Sequence, residues 1–112
     1  MASATRIIVC APLCAFLSVP AIAATGAEVF ETVCAACHGT KGEGLPQLAP
    51  PLKGNPFVTS GSAQDIQSVV KNGRTGNAKK YPQIPQGMPA QPVYDDDLDA
   101  VVKYVKEDLQ KK

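Results

Sequence analysis

Cys34-Ala35-Ala36-Cys37-His38-Gly39 is the stretch whose reading decides the fold. Two thiols three residues apart, with an imidazole adjoining the second, suit a redox dithiol, half of a zinc site, a local disulfide, or a covalent clamp for a cofactor. A structural zinc ion takes four ligands, commonly Cys and His. Beyond residue 23 the chain offers two cysteines and one histidine, so a zinc site is short of ligands. A thioredoxin-type dithiol sits in a strand–helix context, and no strand pattern accompanies this pair. A Cys34–Cys37 disulfide closes a very small loop and adds little stability.

The remaining chemistry fits best. CxxCH is the attachment signature of c-type haem: the thiols on one helical turn add to the vinyl groups, and the adjacent His38 coordinates the iron.

Working outward, the N-terminal segment reads as a leader. Arg6 supplies a positive charge, an apolar run follows to Ile22, and Ala21-Ile22-Ala23 gives the small-x-small pattern of a cleavage site. Pro12 and Pro20 interrupt the run, which is too short for a membrane span. We therefore expect residues 1–23 to be a removed signal peptide, taking Cys10 and Cys14 with it, and residues 24–112 to form one domain. So small a domain, with no Trp, three Tyr and three Phe in the whole chain, needs a cofactor or staple to complete its core. Eleven Lys and Arg against ten Asp and Glu leave a net charge of +1, too little to point to nucleic acid or to an anionic membrane surface.

The periodicity predicts an all-α domain with three main helices. Residues 27–36 place Ala27, Phe30 and Val33 or Cys34 on one face. Residues 39–61 read as a loop rich in Gly and Pro. Residues 62–72 form the second helix, capped by Ser62, ended by Gly73, with Ile66, Val69 and Val70 as its apolar stripe. Residues 73–92 show no periodicity and contain Pro82, Pro85, Pro89 and Pro92; a connection of that length in a small domain calls for a task. The last helix opens on Asp95, Asp96 and Asp97 and carries the stripe Leu98, Val101, Val102, Val105 and Leu109, with Lys111 and Lys112 at its negative end.

Helix, CAACHG, proline–leucine loop, middle helix, methionine loop and terminal helix together resemble the small class I monohaem c-type cytochromes, over nearly the whole region after residue 23. The resemblance implies the small cytochrome c fold. It implies that Pro50, in Pro50-Pro51-Leu52-Lys53-Gly54, offers its carbonyl to the ring of His38, and that Leu52 packs on the haem face. Gly26, Phe30 and Tyr104 match the residues at which the terminal helices of that family cross. Met1 leaves with the leader, so Met88, between Gly87 and Pro89, is the methionine left to ligate the iron opposite His38; a thioether there favours the reduced state. Lys79, Lys80 and Tyr81 are the other candidates for that position. Lys41, Lys53, Lys79 and Lys80 fall on loops expected to rim the crevice, and the Asp95–Asp99 cluster reads as helix-dipole chemistry rather than a metal site.

Cofactor-binding residues are thus expected at Cys34, Cys37, His38, Pro50, Leu52 and Met88, with His38 and Met88 on the metal. Iron with both axial positions filled has no place for substrate and exchanges electrons. The expected function is electron transfer in the bacterial periplasm, as a free shuttle or as the haem subunit of a dehydrogenase or oxidase, with no catalytic residues. The expected partners are a dehydrogenase, an oxidase or another cytochrome, with no nucleic acid and with membrane contact only through partners. A peroxidase or a gas sensor with a displaceable sixth ligand is the alternative.

Overall fold

The computed structural model describes Ala15 and residues 17–112. Most of the expected leader lies outside the described residues; residues 17–25 carry no regular structure, and Leu17, Val19 and Ile22 are exposed. Among the described residues the chain is helical without strands, and its only β-type pairings are isolated bridges, Leu45 with Ala49 and Arg74 with Met88.

Helix α1 is continuous through three segments: α-helical Gly26–Val29, a π-helical turn at Phe30–Cys34, and α-helical Ala35–His38. Thr25 starts it with a capping box. Its hydroxyl accepts the Glu28 N–H, and the Glu28 carboxylate accepts the Thr25 N–H at 2.8 Å, satisfying donors that the first turn cannot. In the widened turn the Ala35 N–H reaches back to the Phe30 carbonyl. The Thr32 hydroxyl meanwhile donates to the Glu28 carbonyl at 2.8 Å. Ala27, expected on the buried face, is exposed, and Val29 is buried beside Phe30 instead. The reason is that the helix crossing passes through Gly26: a Cβ there would run into the Ala100 carbonyl and the Tyr104 Cβ. Residues three and four beyond Gly26 therefore face inward.

The segment expected to be loop from 39 to 61 contains a short helix, α2, Pro56–Ser60. Asn55 caps it, its Oδ1 accepting the Phe57 N–H at 3.0 Å, and Pro56 sits at the first helical position, where its missing N–H costs nothing. Lys106 closes the other end, donating to the carbonyls of Val58 and Gly61. Helix α3, Ala63–Asn72, is capped by Ser62, whose hydroxyl accepts the Asp65 N–H at 3.1 Å, and ends at Gly73 with φ +72. After a 3-10 turn at Gly76–Ala78, the chain runs irregularly to α4, Asp95–Lys106. A break at Glu107 separates α4 from a terminal turn, α5, Asp108–Lys111.

Helices α1 and α4 cross closely, with the Phe30 and Tyr104 rings 5.5 Å apart and inclined by 48°, the tilted arrangement aromatic pairs prefer. Leu98, Val101, Val102, Val105 and Leu109 are all buried, as the stripe predicts, and join Val29, Phe30, Val58, Ile66 and Val93 in one core. Phe30 and Leu109 are fully enclosed, each worth about 1.5–3 kcal/mol in apolar burial. Val69 and Val70 are only half-buried, because their face of α3 looks onto a cavity rather than onto another helix.

Candidate functional site

That cavity, about 200 Å³, is walled by apolar side chains from every helix but the last turn and from both long connections. Val33, Leu52, Val69, Val70, Val102 and Val105 supply much of the wall. The same space is lined by Cys34, Cys37, His38, Pro50, Leu52 and Met88, so every site residue expected from the sequence reaches it. The second half of α1, after the π turn, presents Cys34, Cys37 and His38; the segment after Gly39 returns to present Pro50; the segment before α4 brings Met88.

His38 is buried, 8% exposed. Its Nδ1 lies 2.9 Å from the Pro50 carbonyl oxygen. A carbonyl can only accept, so Nδ1 carries the proton and Nε2 is left with its lone pair free. Burial pushes the imidazole pKa down, against a smaller upward pull from the Pro50 carbonyl. Burial, the larger effect, favours the neutral ring, and the Pro50 bond decides which nitrogen keeps the proton, leaving the other available to a metal. Cys34 is half-buried and Cys37 exposed, both as free thiols. Desolvation, with Cys37 adding to it, raises the Cys34 thiol to about 11.

Met88 is half-buried and held by its backbone: Arg74 N–H donates to the Met88 carbonyl at 2.7 Å, and Met88 N–H donates to the Arg74 carbonyl at 2.9 Å. Gly73 makes this approach possible, since a Cβ there would strike the Met88 carbonyl and the Ala90 nitrogen. Gly87 serves the same pairing, lying against the backbone of Arg74 and Thr75.

The other candidates for the position opposite His38 are occupied elsewhere. Lys79 Nζ donates to the carbonyls of Ile84, at 3.0 Å, and Pro85. Lys80 lies over the Phe57 ring, 5.1 Å from its centroid, and the Tyr81 hydroxyl accepts a hydrogen bond from Asn55. Lys79 and Lys80 do line the cavity, with Arg74; Lys41 and Lys53 do not. Among the described residues the single ion pair is Lys111 with Asp108, so no carboxylate there neutralises the cations at the rim. Nor do three His, Cys, Asp or Glu side chains gather about one point among the described residues, which leaves the zinc reading of CAACH without its ligands.

Three features of the site escape sequence reasoning. Asn55, 8% exposed, donates to both the Pro51 carbonyl and the Tyr81 hydroxyl while capping α2; the Asn55-Pro56 pair is a cap signature that marks it. Arg74 stacks over Phe57, 4.3 Å from the centroid, a contact with no local signal. Gln110 reaches back to Leu52 and Gly54, 58 and 56 positions away, again with no local signal.

Free thiols beside a neutral imidazole, opening on an apolar cavity with a thioether in its wall, fit a covalently held haem. Comparison with known proteins agrees. The family model described as Cytochrome c matches residues 23–107. Over 48 residues the chain is 42% identical to the cytochrome c subunit of the quinone alcohol dehydrogenase of Gluconobacter oxydans. It is 35% identical to the corresponding subunits of Komagataeibacter europaeus and Gluconacetobacter polyoxogenes. Each match covers 43% of this chain and 10% of the relative, so the chain corresponds to a small part of those subunits. With the family model spanning most of its length, the chain belongs to the cytochrome c family, whose members carry haem c bound covalently through a cysteine pair, here Cys34 and Cys37.

Proposed function

We propose that the chain is a periplasmic electron carrier in which His38 and Met88 are the axial ligands, exchanging electrons with a dehydrogenase or another redox protein and catalysing no reaction itself. The observation that carries this is the His38–Pro50 hydrogen bond, which leaves Nε2 free toward a cavity that Met88 also lines. Haem c, when bound, supplies an iron that takes up and gives back one electron.

The chain's own residues account for the rest. The Pro50 carbonyl fixes the His38 tautomer and raises the basicity of Nε2. The Arg74–Met88 pairing holds the thioether in the wall by main-chain bonds rather than on a flexible tip. Lys79, Lys80 and Tyr81, each engaged with another partner, leave Met88 the least encumbered donor. The apolar lining excludes water, so charge on the cofactor is weakly screened and its potential is set by the protein. A dehydrogenase as partner follows from the names of the relatives, and export from the reading of residues 1–23.

Optical spectra of the oxidised, reduced and CO-treated holoprotein test the reading. Low-spin spectra in both oxidation states, a weak red charge-transfer band in the ferric form and slow reaction with CO are expected. Ready binding of CO by the unmodified protein at neutral pH would displace the carrier reading in favour of a sensor or peroxidase.

A further inference from the structure

We propose that Gln110, near the end of the chain, is a positioning residue for the Pro50 carbonyl and, through it, for His38. The inference rests on the reading of His38 as an iron ligand held by Pro50.

The segment that carries the carbonyl cannot hold itself. Pro50 and Pro51 have no N–H groups, and a residue before proline is confined to extended conformations. The direction of the Pro50 carbonyl therefore depends on where the next anchored residues lie. Pro51 takes a single bond, its carbonyl accepting from Asn55 Nδ2 at 2.9 Å, and the residues anchored next are Leu52, Lys53 and Gly54. From one side the Gly42 carbonyl accepts the N–H groups of Leu52, at 2.8 Å, and Lys53, at 3.0 Å. From the other side Gln110 clamps the same segment: Oε1 accepts the Gly54 N–H at 2.7 Å and Nε2 donates to the Leu52 carbonyl at 3.1 Å.

Nε2 also donates to the Val105 carbonyl at 2.9 Å, which fixes the amide against the end of α4. An N–H can only donate and the two carbonyls can only accept, so one orientation of the amide satisfies all three bonds. A neutral side chain with both an acceptor and a donor at this length is what the geometry requires, and glutamine supplies it. Leu109, its neighbour, is fully buried and lies against Gly42, where a Cβ would come within 2.7 Å of it. The terminal turn thus presses on both anchors of the Pro50 segment at once.

The test compares holoproteins carrying Gln110→Met, Gln110→Asn, Lys112→Ala and Pro50→Ala, reading the reduction potential and the hydrogen exchange of the Gly54 amide. In Gln110→Met the Gly54 amide should exchange about tenfold faster, the loss of one hydrogen bond. The potential should shift upward with the haem still attached, because a less firmly held carbonyl makes His38 a weaker donor to the iron. Gln110→Asn, its amide withdrawn by one methylene, should shift in the same direction. Lys112→Ala removes another terminal contact, to the Tyr104 hydroxyl, and should move neither readout. An unmoved potential in both Gln110 variants alongside a shifted one in Pro50→Ala overturns the role of Gln110 and leaves the His38 reading standing. The absence of a shift in all of them overturns the role of Gln110 as well, while the His38 reading is decided separately by the low-spin spectra of the holoprotein. A shift in Lys112→Ala equal to that of Gln110→Met also overturns the role of Gln110, as general loosening of the terminus.

Discussion

Asn55 donates to the Tyr81 hydroxyl at 2.9 Å, and to the Pro51 carbonyl at the same distance. One buried amide thereby ties the segment that faces His38 to the segment that leads to Met88. Asn55→Ala removes this tie and the cap of α2 together, and should cost about 2–3 kcal/mol in denaturant unfolding of the holoprotein. Tyr81→Phe removes only the hydroxyl and should cost about 1 kcal/mol. Equal costs for the two variants would mean that neither the cap nor the Pro51 bond contributes.

Gly26→Ala sets two effects against each other. Helix propensity favours alanine by about 1 kcal/mol, whereas the crossing with Ala100 and Tyr104 leaves no space for a methyl group. Overpacking of this kind costs about 1–3 kcal/mol, and here the obstacle is backbone, so destabilisation should win. Thermal unfolding would decide it; a stabilised variant would show that α1 and α4 can separate at no cost.

Met88→Ala should open the position opposite His38. We expect a lower reduction potential, loss of the red charge-transfer band and rapid CO binding, since thioether sulfur favours ferrous iron. Met88→His should lower the potential while keeping CO out. Unchanged spectra in Met88→Ala would mean that another side chain ligates the iron.

Without its cofactor the chain should not hold together. The Cys34→Ala, Cys37→Ala double variant loses both covalent links, and the cavity walls then meet no filler. Far-ultraviolet circular dichroism should show most of the helical signal lost at room temperature, and acid–acetone extraction should remove any pigment. A well-folded, colourless double variant would show that the core is complete by itself.

Glu28 provides a pH prediction. Hydrogen bonding to the Thr25 N–H, and then to its hydroxyl, holds the carboxyl pKa below its usual 4.5. A pKa lowered in the folded state contributes stability above the unfolded value and loses it as the pH falls through the folded one. The capping box should therefore weaken only in acid, below 4.5. Glu28→Gln should flatten that part of the dependence of the unfolding midpoint on pH. An identical acid limb in the two proteins would rule out Glu28 as its source.

What the sequence makes legible follows the range of the signal. CAACHG is contiguous, and the stripes of α3 and α4 repeat over enough turns to be counted, so these were readable. Met88 stands out in the sequence because few alternatives remain, and it does line the cavity. Helix α2 leaves no such pattern, because five residues are too few for a periodicity, although Asn55-Pro56 marks its start. The π turn leaves no apolar pattern of its own, and the pattern points to Ala27 rather than Val29 because Gly26, with no side chain to count, is the residue at the crossing. The contacts of Asn55 with Tyr81 and of Gln110 with Gly54 join residues 26 and 56 positions apart, a separation at which no single-sequence pattern operates.

The π turn at Phe30–Cys34 gives α1 a property a regular helix lacks. It inserts one residue's worth of rotation, about 100°, between the part keyed to α4 through Gly26 and Phe30 and the part bearing Cys34, Cys37 and His38. The two halves are indexed independently on a shared axis. Deleting one residue between Phe30 and Cys34 would preserve both CAACH and the Phe30–Tyr104 contact as sequence, yet swing the thiols out of the cavity by that angle. A haem-attachment motif moved to another helical scaffold would likewise have to carry this rotational offset with it.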